Sequence, residues 1–288
     1  MPLSATLNTL PHQHFEQLHS TNTALLHAIQ INLHPHSHAI LYTATEQTSG
    51  RGQHGRAWQG GLGNVFLSLY VPIGDSDTEQ LRLGQLSGIL SLAIGLFLLK
   101  MPILQTINRQ RTQNALPLIK VKWANDLGIY DKGLGQFAKL GGVLIEPVFA
   151  DNTSPVGVVI GVGLNVATAP KLNDNTYTTS CLHDLTDDSL PTAQELYAPI
   201  CHALLQAVAC VNTLDNPSSQ QAFIQDYNRH HALQNQPLAI YPQNDLSTPS
   251  HVGRCVGINE QGGLLLQNKA GTTAIYAGTT QILKEINP

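Results

Sequence analysis

The sequence predicts an α+β chain of two unequal parts, a large mixed part over residues 1–232 and a small β-barrel over residues 236–288. Three observations carry this reading. Short apolar runs punctuated by glycine, at 39–42, 65–71, 118–123, 139–146 and 156–166, read as strands. Between them, Leu81, Leu83, Leu86, Ile89, Leu90, Leu92, Ala93, Leu96 and Phe97 recur at helical spacing around much of the circumference, which marks 79–101 as a buried core helix. Beyond Gln234-Asn235-Gln236-Pro237 the texture changes to four short runs at 238–241, 252–258, 264–267 and 273–276, separated by turns such as Asn259-Glu260-Gln261-Gly262.

Taken in order, Ser20-Thr21-Asn22 stands directly before the helical pattern at 23–29. Its hydroxyl and amide groups suit helix caps, and the same exposed N-terminus, with free N–H groups, equally suits a polar ligand group. His34, His36 and His38 alternate and invite a metal reading, but Pro35 argues for a loop and no acidic or cysteine partner lies beside them. The polar stretch 105–115 lacks an apolar period and ends at Pro117, so it is expected to be a surface insertion. Residues 125–133 read as a strand edge and hairpin turn. Glycines inside the next two strands, Gly141 and Gly142, then Gly161 and Gly163, mark either bulges or places where a ligand lies against the backbone. The polar segment 172–190 is expected to be a mobile loop, followed by helices over 193–214 and 218–230.

At 288 residues the chain has room for one large core plus an appended unit. Fifteen Lys and Arg against 19 Asp and Glu give a net charge of −4, so no global positive field exists to hold a nucleic-acid backbone. Phosphate binding would need a local basic patch. Four cysteines without Cys-x-x-Cys spacing fit free thiols in a reducing cytosol. No basic and apolar leader opens the chain, and its longest apolar tract, 89–99, is short of the ~20 residues that cross a bilayer. A cytoplasmic protein without a membrane partner is expected.

Two basic, glycine-rich segments carry the chemistry. In Gln47-Thr48-Ser49-Gly50-Arg51-Gly52-Gln53-His54-Gly55-Arg56, the glycines let backbone N–H groups approach a ligand, and Arg51 and Arg56 supply fixed charge. The segment lacks the Lys-Ser/Thr ending of a Walker loop, and by itself it reads equally as a flexible hairpin loop. The second segment is Lys120-Val121-Lys122-Trp123-Ala124-Asn125-Asp126. Together they suggest a site for an acyl-adenylate.

With these residues in view the sequence resembles the biotin protein ligases. The likeness runs in order through Ser-Thr-Asn at 20–22, the stretch 47–58, Lys122 to Asp126, 139–146, 161–166 and the terminal barrel. It implies a class II synthetase-like biotin/lipoate ligase domain, a mixed sheet with helices packed on it, followed by a Src-homology-3-like barrel. The implied reaction joins biotin and magnesium ATP into biotinyl-5′-AMP, then passes the acyl group to one lysine of a biotin carboxyl carrier protein. Ser20, Thr21, Asn22 and Gln47 match positions that hold the biotin head group, and Gly50, Arg51 and Gly52 match the loop that closes over the intermediate. Lys122 matches the lysine at the carboxylate and α-phosphate, so Lys122 and Arg51 are the implied catalytic pair. Gln53, Gly142, Gly161 and Gly163 complete the expected biotin contacts, and Arg56, Trp58 and Asn165 join Arg51 at the adenylate. Trp58 is read either as packing over the closed loop or as core, and Asp126 either as orienting magnesium or as capping its turn. A homodimer through an exposed sheet edge is compatible with the sequence.

Two departures from the common pattern stand out. Ala124 occupies a position usually held by proline. Only nineteen residues precede the Ser-Thr-Asn motif, so the resemblance implies a ligase without a DNA-binding domain. A third departure concerns the loop, where Gln53 stands at a position commonly held by a second arginine, and the phosphate is expected to lose one charged partner. Gln53→Arg is therefore expected to slow release of the adenylate. An unchanged off-rate would remove that expectation.

Overall fold

Glycine-punctuated runs in the N-terminal part assemble into one mixed sheet. In the computed structural model, which describes residues 10–75, 79–131, 135–150, 153–170, 178–242 and 245–283, its strands are β1 (His12–Leu18), β2 (Ile40–Gln47), β3 (Val65–Pro72), β4 (Ile119–Lys122), β5 (Asp126–Asp131), β6 (Gln136–Phe149), β7 (Pro155–Leu164) and β8 (Thr178–Thr179). The order is β1-β2-β3-β7-β6-β5-β4, with β8 added beside the start of β6. All pairs are antiparallel except β1 with β2 and β8 with β6. The central strand β7 is apolar along nearly its whole length because both its faces are covered.

Helix α1 (Thr21–Gln30) lies on one face, where Leu25, Ala28 and Ile29 pack on Ile40, Tyr42, Tyr70 and Val159. The other face carries α2 (Gly88–Leu99), α3 (Pro102–Gln113), α4 (Tyr197–Asn212) and α5 (Pro217–His230) over the larger core. Leu25 and Ile29 are fully buried, each contributing about 1.5–3 kcal/mol as an upper bound. Among the described residues, no single helix is long and apolar enough to cross a membrane.

Several sequence expectations are corrected. The supposed insertion at 105–115 is most of α3, opened by Pro102 at its first turn. Only Leu104, Ile107 and the stem of Arg111 are buried, and a stripe so narrow leaves little apolar period to read. The Arg111 head is satisfied by the carbonyls of Pro117 at 2.6 Å and Leu185 at 3.3 Å. The helix expected over 79–101 begins only at Gly88, because the chain before it is tied elsewhere. Leu81 bridges Ile73, and Arg82 N–H donates to Asn212 Oδ1 at 3.0 Å. Of the loop expected over 172–190, residues 172–177 lie outside the described set. Beyond them, Thr178 and Thr179 pair with β6, and Leu182 N–H donates to Asn165 O at 3.0 Å. His34 and His36 bond Tyr42 Oη and Ile29 O at 2.8 and 3.1 Å, and no metal-binding cluster occurs among the described residues.

The C-terminal unit holds β9 (Pro237–Tyr241), β10 (His251–Ile258), β11 (Leu264–Asn268), β12 (Gly271–Ile275) and β13 (Thr279–Ile282). Their order, β12-β11-β10-β9-β13, leaves two edges, so the expected barrel is an open antiparallel sheet. A register break between Cys255 and Gly257 bends it. The unit docks on the larger part through Trp123, whose indole N–H donates to Gly262 O at 2.9 Å, and on α5 through Ile258 N–H to Asn228 Oδ1 at 3.2 Å.

His231, 1% exposed, pins the end of β4 by accepting from Trp123 N–H at 3.2 Å. Burial pushes its pKa down from 6.5 to about 3, and Lys120 and Lys122 push the same way. As pH falls the unfolded chain therefore takes up this proton first. The contribution to stability is complete above about pH 6.5 and is lost as pH falls toward 3. Between pH ~6.5 and ~4 that loss is on the order of 2–3 kcal/mol. His231→Gln, which keeps an acceptor but does not titrate, is expected to flatten the fall in urea midpoint over this window. Parallel profiles for the two proteins would contradict the assignment.

Candidate active site

The start of α1 meets the centre of the sheet at a small polar cavity. Ser20 caps the helix, its Oγ accepting from Thr23 N–H at 3.4 Å, and this sets Thr21 and Asn22 against β3 and β7. Ser20, Thr21 and Asn22 are at most 4% exposed. Thr21 donates to Gln47 Oε1 twice, from its backbone at 2.7 Å and from its hydroxyl at 3.1 Å. Ser68, fully buried in β3, places its Oγ 2.7 Å from Thr21 Oγ1 and 2.5 Å from Asn22 Oδ1. Asn22 Nδ2 donates to Glu146 Oε2 at 2.9 Å, and the same carboxylate forms an ion pair with Arg51. With Glu146 accepting at one end and Ser68 donating at the other, the orientation of the Asn22 amide is fixed.

Two glycines make room for this arrangement. A methyl on Gly161 would lie 2.2 Å from Asn22 Oδ1, and one on Gly163 would lie 2.3 Å from the Trp58 ring. The strand glycines thus mark close approaches to the backbone. Gly142, Gly161 and Gly163 all line the small cavity, of about 50 Å³, as do Gln47, Gly52 and Gln53.

A second cavity, of about 520 Å³, continues from the first past Gln53, Trp58, Asn125 and Lys139, which line both. Arg56, Lys122, Asp126 and Asn165 line it from the large sheet, while Gly262, Tyr276 and Thr279 close it from the C-terminal unit. Arg56 reaches across to donate to Thr279 Oγ1 at 3.0 Å. Lys139 pairs with Asp126 Oδ1 at 2.7 Å, and its ammonium lies 5.3 Å from the centre of the Trp58 ring. Lys122, 9% exposed, forms no ion pair among the described residues. Burial pushes its pKa down, Asp126 pushes it up, and Lys139 and Arg56 add to the lowering. A buried cation beside further cations is arranged to receive an anion.

The sequence-predicted residues thus fall into two groups on one continuous concave surface. Ser20, Thr21, Asn22, Gln47, Arg51 and Gly52 surround the small cavity. Lys122, expected at the carboxylate and α-phosphate, lines the large one with Arg56 and Asn165. Gly50 lines neither cavity; it sits where the loop crosses itself, its carbonyl accepting from Trp58 N–H at 2.9 Å. Trp58 belongs to the site and not to the core, and its buried indole N–H has no acceptor among the described residues. Asp126 serves as the counter-ion of Lys139. Ser68, Lys139 and Glu146 were missed as site residues. Each carried a signal, as the one small polar side chain in the apolar run Val65–Pro72 and as the two charges bracketing the glycine pair of β6.

Comparison with known proteins follows this geometry. The model of the biotin/lipoate A/B protein ligase family matches residues 14–165, more than half of the chain. The biotin–[acetyl-CoA-carboxylase] ligase of Mycobacterium tuberculosis is 33% identical over 140 residues, 46% of this chain and 41% of that protein. The bifunctional ligase/repressor BirA of Salmonella typhimurium is 32% identical over 126 residues, 43% of this chain and 32% of that protein. The chain thus matches well under half the length of these relatives. In fold it is similar to the biotin protein ligase from Aquifex aeolicus solved with biotin and ATP, with a TM-score of 0.66 at 18% identity, covering 96% of this chain and 99% of that one. A second similar structure is the biotin acetyl coenzyme A carboxylase synthetase from Helicobacter pylori, with a TM-score of 0.53 at 18% identity, covering 92% and 100% of the two chains. From the match over 14–165, the chain belongs to the biotin/lipoate A/B protein ligase family.

Proposed function

We propose that the chain activates biotin with ATP to biotinyl-5′-AMP and transfers the biotinyl group to a lysine of a biotin carboxyl carrier protein. The observation that carries this reading is the continuity of a buried polar cavity with a larger cationic one, sharing Gln53, Trp58, Asn125 and Lys139. A ligand that is polar at one end, apolar in its middle and anionic at the other fits that sequence of surfaces. The ureido ring of biotin offers two N–H donors and a carbonyl to Ser20, Thr21, Asn22 and Gln47. Its chain runs along Gly142, Gly161 and Gly163 toward Lys122 and Lys139.

In the first step a biotin carboxylate oxygen attacks the α-phosphorus of ATP. The bond to the β-phosphate oxygen breaks and pyrophosphate leaves with the electron pair. Two anions must meet, and Lys122, Lys139 and Arg56 offset their repulsion and stabilise the charge on the equatorial oxygens. Arg51, held by Glu146 beside the small cavity, is within the same loop and is positioned to exchange that partner for the adenylate. In the second step the neutral amine of the acceptor lysine attacks the acyl carbon, AMP leaves, and the amine loses a proton. No protein nucleophile is needed. Closure of the 47–58 loop keeps water from the mixed anhydride.

Magnesium fits this site only as a companion of the nucleotide. Such an ion is held mainly by phosphates and water with one or two carboxylates, and Asp126, already paired with Lys139, is the one carboxylate among the described residues lining the large cavity. Bound there, magnesium would neutralise phosphate charge.

Lipoate is the alternative acyl group in this family. Its dithiolane ring has no N–H donor or carbonyl, so against the polar cluster at 20–22 it would gain none of the hydrogen bonds open to a ureido ring, each worth about 0.5–1.5 kcal/mol. Biotin-dependent exchange of labelled pyrophosphate into ATP, with lipoate as competitor, tests the reading. Exchange is expected with biotin and not with lipoate, and the reverse preference would overturn it. Lys122→Ala is expected to lower exchange by about 10²–10³-fold with an unchanged circular dichroism spectrum. Full exchange in that variant would remove Lys122 from the mechanism.

A further inference from the structure

Among the described residues two lysines face the large cavity, and one of them, Lys139, has a carboxylate partner. Asp126 Oδ1 is 2.7 Å from Lys139 Nζ. The Lys122 ammonium instead lies over the face of the Phe137 ring, 5.0 Å from its centre. The ring is itself held in place. It takes the space beside Gly128 of β5, where a methyl group would come within 2.6 Å of Cζ, and the Phe137 carbonyl accepts from Thr178 Oγ1 at 3.1 Å.

We propose that Phe137 is a positioning residue for the adenylation step: its ring holds the Lys122 ammonium charged and aimed into the cavity without neutralising it. A carboxylate at this place would neutralise Lys122 and compete with the incoming phosphate. An aromatic face attracts a desolvated cation through its quadrupole yet carries no net charge. Lys122 is therefore left with its full charge for the substrate, while Asp126 is spent on Lys139. The proposal deepens the ligase reading and rests on it for the identity of the step, though the contact between ring and ammonium stands apart from it.

Other groups facing Lys122 do not supply this hold. Asp126 on β5 favours the charged form of Lys122 but is paired with Lys139. Lys139 on β6 and Arg56 from the loop disfavour the charged form. Lys120 shares its strand, and His231 is neutral in the folded protein. Removing the ring therefore leaves Asp126, already engaged by Lys139, as the group favouring the charge against burial and two cations.

The test replaces Phe137 with 4-fluoro- and 3,4,5-trifluorophenylalanine in the full chain, which weakens the ring quadrupole at nearly constant shape, and adds Phe137→Leu and Phe137→Tyr. Two quantities are read. One is the Lys122 pKa, from ¹³C-lysine NMR assigned with Lys122→Arg, and the other is kcat and KM for biotin-dependent pyrophosphate exchange. The pKa is expected to fall stepwise with fluorination, by about one unit in all, and kcat to fall up to about tenfold in the same order while KM for biotin stays within about twofold. Phe137→Tyr should restore both and Phe137→Leu should not. A Lys122 pKa that is constant across the series would overturn the contact, and a constant kcat in an active enzyme would overturn its role. Should the pKa fall in order while no variant and no wild-type protein exchanges pyrophosphate, the contact would stand and the ligase reading would fail.

Discussion

Close approach of side chains to the backbone of β7 is the constraint on which the site depends. Asn22 and Trp58 both occupy space that a β-carbon at 161 or 163 would take. Without those gaps the start of α1 could not settle on the sheet, and the loop from 47 to 58 could not bring its tryptophan down beside Lys139. The sheet is rigid because its far face carries the main apolar core, with Val158, Ile160, Val162 and Leu164 all buried. Polar groups of the small cavity are thus mounted on the least deformable part of the molecule. That is where precise hydrogen-bond geometry toward a small ligand is easiest to hold.

Charge is distributed unevenly along the same surface. At the closed end a carboxylate, Glu146, binds both Asn22 and Arg51, so that part of the site is locally neutral. At the open end Lys122, Lys139 and Arg56 line the cavity with one carboxylate among the described residues, Asp126, which pairs with Lys139. A polar, neutral head group and an anionic tail would each find a matching environment, and the tail would be drawn to the cationic end. The C-terminal sheet belongs to this arrangement because Gly262, Tyr276 and Thr279 form a wall of the larger cavity. Its attachment through Trp123 to Gly262 therefore couples the docking of that unit to the turn that carries Asn125 and Asp126.

Legibility of these features in the sequence follows from how local their causes are. The capping triplet at 20–22, the glycine pairs of β6 and β7 and the basic loop are local signals, and the structure brings most of them together. The close approach of Gly50 to Trp58, where the loop crosses itself, depends on a residue eight positions on and leaves no local signal. Strand β1 escaped because an edge strand with an exposed face, His-Gln-His-Phe-Glu-Gln-Leu, has no apolar alternation to display. Helix α3 escaped because an arginine stem fills the place of a third apolar residue. Strand β13, a run of Thr-Thr-Gln-Ile, is defined by its pairing with β9 more than by its own composition, and the closed barrel expected from the four other runs gave way to an open sheet. The pairing of Asp126 with Lys139, while Lys122 lies over Phe137, is a tertiary fact that no spacing could disclose.

Central to the account is a single continuous site in which an acyl group is activated at one end of a cavity and handed on from it. The most direct measurement is ATP-dependent transfer of labelled biotin to a purified carboxyl carrier domain, beside the same domain with its acceptor lysine changed to arginine. Label on the unaltered domain alone, and only with ATP present, is the predicted result. No label on either domain, under conditions where a known ligase modifies the first, would contradict the account.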